Sequence, residues 1–199
     1  EPFMNLFITG IRGIPAQHGG FETFAEKLAL HLAKKGWNVT VYCQEEGNGS
    51  SQYSTWNGVN LIKIPVALEG ALGTIVFDAK VVKDTLSADG LILTLGYNTA
   101  IFNLFQRLKN KKNIINMDGI EWKRDKWGNL AKTWFWLNER FGCWIGNHLV
   151  ADHPKIKEHL ATRVDASKIT MIPYGAEEVL SACPTFLAPY DLEPEHFSI

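Results

Sequence analysis

The sequence is poor in cysteine, nearly neutral and free of long apolar runs, and each shortage argues against a class of protein. Its 199 residues include three cysteines, Cys43, Cys143 and Cys183. An odd, widely spaced set without Cys-x-x-Cys argues against a disulfide framework and a thiolate zinc site. A reducing, cytoplasmic setting fits. The net charge of −1 gives no electrostatic reason to expect nucleic acid as a partner. No apolar stretch approaches the roughly 20 residues that span a bilayer, and no signal-peptide pattern opens the sequence. His148, His153 and His159 miss the i, i+4 spacing of one helical face, so no metal is expected.

What is present suits a folded α/β protein. Apolar residues make up 46% and charged residues 21%, and the length is enough for a full core without staples. Short, β-branched apolar runs at 5–9, 39–43, 59–64, 91–95, 113–117, 148–151 and 169–172 read as buried strands. Helical patterns fall at 20–35, 71–87, 98–109, 128–145 and 153–161. The alternation predicts a Rossmann-like, doubly wound, mostly parallel sheet. The stretch 45–58, rich in Gly, Ser and Asn, reads as a surface loop.

The first helix is the most legible element. Phe21, Phe24, Ala25, Leu28, Ala29 and Leu32 form one apolar stripe, with Glu22, Glu26, Lys34 and Lys35 off it. Glu22 and the lysines complement the helix dipole, and Gly36 is placed to end the helix. On the helix at 128–145, Leu130, Trp134, Leu137, Phe141 and Ile145 form a stripe read as core-facing, with Trp136 off it. Met4 reads as a native start after a three-residue cloning remnant. The stretch from 176 to 199 loses periodicity and reads as a linker, with a strand beginning at 197–199.

Residues 10–20, Gly-Ile-Arg-Gly-Ile-Pro-Ala-Gln-His-Gly-Gly, join the first strand to the first helix. A glycine-rich turn there offers unpaired N–H groups to an anion such as phosphate. The plain alternative is that the glycines only make the turn. Neither G-x-G-x-x-G nor the Walker A pattern is present. Asp118 follows an apolar run, so it stands at the carboxyl end of a parallel strand, where ligands of open α/β sheets bind. Glu121 lies a short turn on. Either carboxylate could hydrogen-bond or polarise a substrate hydroxyl, or stabilise developing positive charge. The alternatives are Asp118 as a turn residue before Gly119 and Glu121 as an ion-paired loop carboxylate. Arg12 and His18 flank the glycine loop as candidates for an acceptor phosphate or hydroxyl, or as plain surface residues. Tyr97 and Asn98 hold another strand end, as acceptor-cleft residues or, for Asn98, as a helix N-cap.

Residues 10–24, with Gly19, Gly20 and Glu22 in a GG-x-E pattern, resemble the opening of family 4 glycosyltransferases, in a rhamnosyltransferase-like branch. Asp118-Gly119-Ile120-Glu121-Trp122, Ala151-Asp152-His153-Pro154 and Ile172-Pro173-Tyr174-Gly175 resemble further blocks of that branch, and the likeness spans about 4–176. It implies the N-terminal, acceptor-side half of a GT-B fold. The activity implied is that of a retaining hexosyltransferase using a nucleoside diphosphate-sugar, with a saccharide or lipid-linked saccharide acceptor and no metal. Gly19 and Gly20 would close over the donor diphosphate, and Asp118 would lie beside the transferred sugar. Residues 177–199 would lead into a second, donor-binding domain outside this sequence, so the chain alone should be nearly inactive. Asp-x-Asp, the metal motif of the other major glycosyltransferase fold, is missing.

Five of seven tryptophans fall between 122 and 144 among lysines and arginines. That mixture suits peripheral contact with the inner face of a membrane, or a sugar stacked on an indole; a wide core helix is the alternative. Two other functions remain open. One is an NAD-type dinucleotide-binding domain, with Glu45 or Glu46 as the ribose-binding acid. The other is a noncatalytic sugar- or nucleotide-binding module.

Overall fold

The computed structural model describes residues 4–17 and 19–175. His18, Cys183, the three residues before Met4 and everything from 176 onward lie outside the described residues, as do the expectations placed on them. The elements run β1 (Asn5–Thr9), α1 (Gly19–Lys34), β2 (Asn38–Glu46), β3 (Gln52–Trp56), β4 (Val59–Val66), α2 (Gly70–Thr85), β5 (Leu91–Leu95), α3 (Asn103–Leu108), β6 (Lys112–Met117), α4 (Asn129–Ile145), β7 (His148–Ala151), α5 (Pro154–Ala161) and β8 (Ile169–Met171). They build one sheet in the order β3-β4-β2-β1-β5-β6-β7-β8. Every pairing is parallel except β3 with β4. The strand order turns back at β1, which lies between β2 and β5. A crevice therefore opens at the carboxyl ends of β1 and β5, the position where such sheets bind ligands.

Strand alternation explains why both faces are covered. Leu6 and Ile8 of β1 and Val39 and Val41 of β2 pack with Ala25 and Ala29 of α1. Phe7 and Tyr42, one residue out of step, turn to the opposite face and meet Phe77 and Val81 of α2. On that face, Ile115 and Met117 of β6 pack with Cys143 of α4 and Leu160 of α5. The stripe read on α1 is the one that packs. Gly36, at φ 86°, ends the helix, and Trp37 N–H closes back on Leu32 O at 3.0 Å.

Three expectations need correction. Residues 45–58 are not simply a loop: β2 continues to Glu46, and Gln52–Trp56 form an antiparallel edge strand. Asn57 and Gly58 both take positive φ, 48° and 82°, and make the two-residue turn between Trp56 and Val59. The helix expected at 98–109 is a 3-10 turn, Ala100–Phe102, followed by the short α3. On α4 the apolar stripe faces the core only in part, through Ile145 and through Phe141, which packs against the buried cluster of β6 and β7. Asn138, Glu139, Gly142 and Cys143 are buried, while Leu130 and Leu137 are exposed; of the stripe, only Ile145 is buried.

A buried polar chain ties the middle of the sheet to the helices. Thr94 Oγ1 donates to Asn113 Oδ1 (3.0 Å), Asn113 Nδ2 to Gln106 Oε1 (2.7 Å) and Gln106 Nε2 to Thr85 Oγ1 (2.7 Å). Asn113→Ala strands partners on two elements, Thr94 of β5 and Gln106 of α3. It should cost about 2–4 kcal/mol, read as a fall in the denaturation midpoint without a change of slope.

Candidate functional site

The glycine loop is fixed at its start and clamped at its end. A Cβ on Gly10, at φ 88°, would lie 2.3 Å from Leu95 O, because β1 and β5 touch there. A Cβ on Gly13 would meet Cys43 at 3.0 Å. Further on, the amides of Ala16 and Gln17 donate to the Glu26 and Glu22 carboxylates of α1. Glu22 is buried and anchors the loop rather than decorating the helix. Gly19 and Gly20 then start α1 with open space around them. No atom lies within 4 Å of a Cβ at either position, and only Gly19 needs its positive φ of 74°.

Asp118 caps the carboxyl end of β6, and its Oδ1 accepts from Gly119 N at 2.8 Å. Its carboxyl is held above the usual carboxylate range, mainly by burial and further by the Glu121 and Asp152 carboxylates. The Gly119 amide and Arg124 oppose that rise. Asp152, directly after β7, and Tyr174, after β8, stand close enough to act on it. Tyr174 has its hydroxyl pushed up to about 12 by burial and by the Asp152 and Asp118 charges. The Tyr174 ring packs edge-on against Phe24 and Phe21 of α1, at 5.8 and 6.5 Å. The Gly19-Gly20 helix start, Tyr174, Asp152 and Asp118 thus border one stretch of the strand-end edge. Asp152 and Tyr174 were quoted in the sequence only as parts of motifs. The signal missed for Asp152 was the rule already used for Asp118, a polar residue directly after a parallel strand.

Glu121 is placed differently. It is buried, and its two oxygens accept from Arg124 Nη1 (3.0 Å) and Trp127 Nε1 (3.2 Å). Tyr97 is buried beneath the same block rather than lining an open cleft. Its hydroxyl donates to Gly119 O (2.8 Å) and accepts from Glu121 N (2.9 Å). Both residues hold the Asp118–Glu121 turn in shape. Asn98 makes no helix cap. It is exposed, and its carbonyl accepts from Trp134 Nε1 at 2.7 Å. Glu139 is buried at the hub of the region. It accepts from Trp122 Nε1 (2.7 Å) and Arg163 Nε (3.2 Å) and bonds His159 Nε2 (3.0 Å). That hub joins the Asp118 block to α4 and α5.

Arg12 lies away from Asp118. It borders a cavity of about 730 Å³ between the glycine loop and the ends of β2, β3 and β4, with Gln17, Gln44, Glu46, Trp56 and Glu69. Glu45, the candidate ribose-binding acid of the dinucleotide reading, faces the same cavity and pairs with Lys63 at 3.0 Å. Gln44 Oε1 is buried there without a hydrogen-bond partner. Glu22 and Gln17 belong to this wall while Phe21 faces Tyr174, so the start of α1 stands between the cavity and the Asp118 side. Among the described residues, no three His, Cys, Asp or Glu side chains gather as metal ligands.

Behind Asn98, Asp78 of α2 accepts from Thr99 Oγ1 at 2.7 Å. Burial pushes its carboxyl up to about 6, against the smaller pull of that hydroxyl. An acid whose pKa rises on folding favours the fold below its unfolded value, near 4, and loses that advantage as pH climbs through its folded value. Asp78→Asn should therefore raise stability at pH 8 by roughly 1–2 kcal/mol, with the gain fading to nothing by about pH 4, as read from melting curves across pH.

The comparisons match this architecture. A solved structure described as "Trehalose-6-phosphate from E. coli bound with UDP-2-fluoro glucose" aligns at a TM-score of 0.56 and 10% identity, covering 96% of this chain and 52% of that one. The chain therefore spans about half the length of a protein with the GT-B fold, and it has the Rossmann-like fold of such a half. No curated protein matches. No described helix is long and apolar enough to cross a membrane. Over residues 3–177 the sequence matches the family described as "Domain of unknown function (DUF1972)", and the chain belongs to that family.

Proposed function

We propose that this chain is the acceptor-side half of a retaining glycosyltransferase. It would work on a nucleoside diphosphate-sugar, with rhamnose the sugar suggested by the sequence likeness, and a saccharide or lipid-linked saccharide as acceptor. The observation that carries this reading is the shared border of the Gly19-Gly20 helix start, Asp118, Asp152 and Tyr174 beside the crevice at β1 and β5. A helix start with open glycines suits a diphosphate. A carboxylate a short way off suits the hydroxyls, and the developing positive charge, of the sugar being transferred. Support also comes from the solved structure of like fold, which holds UDP-2-fluoro glucose. Asp118 is the residue proposed to touch the sugar, while Glu121 and Tyr97 position the turn that carries it. A second domain would supply most donor contacts.

A thermal-shift screen of the protein as its gene encodes it tests this, with UDP-, GDP- and dTDP-sugars and with NAD and NADP as controls. Stabilisation by one sugar nucleotide is the expected result. Stabilisation by NAD alone would replace this reading with a dinucleotide-binding one.

A further inference from the structure

Leu130 and Leu137, which the sequence assigns to the core side of α4, are turned outward instead, and Trp144 lies in line with them. Leu130, Leu137 and Trp144 are 87, 40 and 57% exposed, and their seven-residue spacing puts them along one side of the helix. α3 packs beside α4 and adds Leu104, Phe105 and Leu108, which are 40, 56 and 69% exposed. Six large apolar side chains on two adjoining helices make more open apolar surface than scattered exposure explains.

The charge on the segments that carry them is almost all of one sign, although Lys132 pairs with Asp125 of the loop before α4 at 3.7 Å. Residues 98–117 contain no Asp or Glu, and residues 129–149 contain only Glu139, which is buried and satisfied by His159, Arg163 and Trp122. The same stretches carry Arg107, Lys109, Lys111, Lys112, Lys132 and Arg140. Directly after Leu108, a pocket of about 210 Å³ is lined by Arg107, Asn110, Lys111, Lys112 and Asn147. Lys111 is held by Ala88 O. Arg107 and Lys112 have no carboxylate in ion-pair reach among the described residues.

We propose that the α3–α4 face docks on an anionic lipid surface. The exposed apolar side chains enter the interface, and Arg107 and Lys112 take a lipid phosphate in the pocket beside Leu108. Trp144 and the cationic rim are the residue types that settle where hydrocarbon meets headgroups. A second copy of the chain fits this face poorly, because its twofold mate would bring like charges together. The pocket lies at the amino ends of β6 and β7, so docking there leaves the strand-end crevice uncovered. The proposal does not depend on the sugar-transfer reading.

The test is flotation of the protein with vesicles of phosphatidylcholine alone, or of phosphatidylcholine with phosphatidylglycerol. Binding to the anionic vesicles only, weakening as salt rises, is expected. The triple variant Leu108→Ser, Leu130→Ser, Trp144→Ser should bind at least about tenfold more weakly, and Arg107→Glu with Lys112→Glu roughly thirtyfold or more. Both sets change exposed side chains and should keep the parent's melting temperature; the charge pair serves alone if the apolar triple does not fold. Failure to bind anionic vesicles, or binding that neither set weakens, overturns the proposal. So does a dimer abolished by the triple variant in a protein that ignores vesicles, which would give the face to a second copy.

Discussion

Gly10→Ala should leave little folded protein, while the same change at Gly20 should leave the melting temperature unchanged or slightly higher. The difference follows from what each Cβ would meet. At Gly10 the methyl would sit 2.3 Å from Leu95 O, a backbone atom directly after the last β1–β5 pair, Thr9 with Thr94, with φ already at 88°. Neither strand can yield without breaking the ladder through the centre of the sheet. The cost combines an unfavourable φ with overpacking and should be at least about 3–4 kcal/mol, a large share of a small domain's stability. At Gly20 the new methyl meets nothing within 4 Å and the backbone needs no positive φ. Alanine there gains about 0.5–1 kcal/mol of helix propensity. Chemical denaturation of the two variants checks this. Equal losses would mean that the two glycines do the same work in the fold.

Asp118→Asn should cut sugar transfer about a hundredfold or more while leaving the fold as stable as before. Asparagine keeps an oxygen for the Gly119 amide, so the turn survives. It also removes one of the carboxylates that oppose each other among Asp118, Glu121 and Asp152, so stability has no reason to fall. Under the proposed function, what it would lose is the negative charge offered to a sugar carrying positive charge in the transition state. Losses of that kind run to about two or three powers of ten. The isostere separates the two roles open in the sequence. A turn residue tolerates Asn, and a charge that acts on substrate does not. Steady-state transfer rates and melting temperatures for the pair would decide it; unchanged rates would return Asp118 to the turn.

The parts of the fold legible in the sequence are those whose signals are local. The β1–α1 unit shows itself in a five-residue run around Leu6, Phe7 and Ile8, a stripe at helical spacing and a glycine stop, all within residues 5–36. β3 escaped although Asn57-Gly58, a strong hairpin signal, was in view. The polar residues around it have exposed side chains, so no apolar run marked the strand. α4 misled because its buried face holds Asn138 and Glu139. Asn138 Oδ1 accepts from Ile101 N, and Glu139 binds residues on α5 and beyond it. Burial of such groups depends on partners far along the chain, which periodicity cannot show.

The candidate site divides in the same way. Strand-end position put Asp118 at the crevice edge, and the glycine loop put Gly19 and Gly20 at the start of α1. Tyr97 lies near the end of β5 and Glu121 a short turn beyond Asp118, yet both turn inward because the Asp118 turn needs their hydrogen bonds. Arg12 went to a separate cavity because the loop bends toward β2, where Arg12 O accepts from Gln44 N at 2.6 Å. Tyr174 comes to the site through packing against Phe21 and Phe24, contacts made across about 150 residues of chain and invisible to any local pattern.

Isothermal titration tests whether the start of α1 receives the diphosphate of a sugar nucleotide. The gene-length protein and its Gly20→Ala variant would be titrated with the sugar nucleotide that stabilises the parent. Saturable binding to the parent is expected, with binding weaker by about tenfold or more in the variant at a melting temperature no lower than the parent's, because the methyl occupies the space a phosphate would approach. Equal affinity for the two proteins would contradict it.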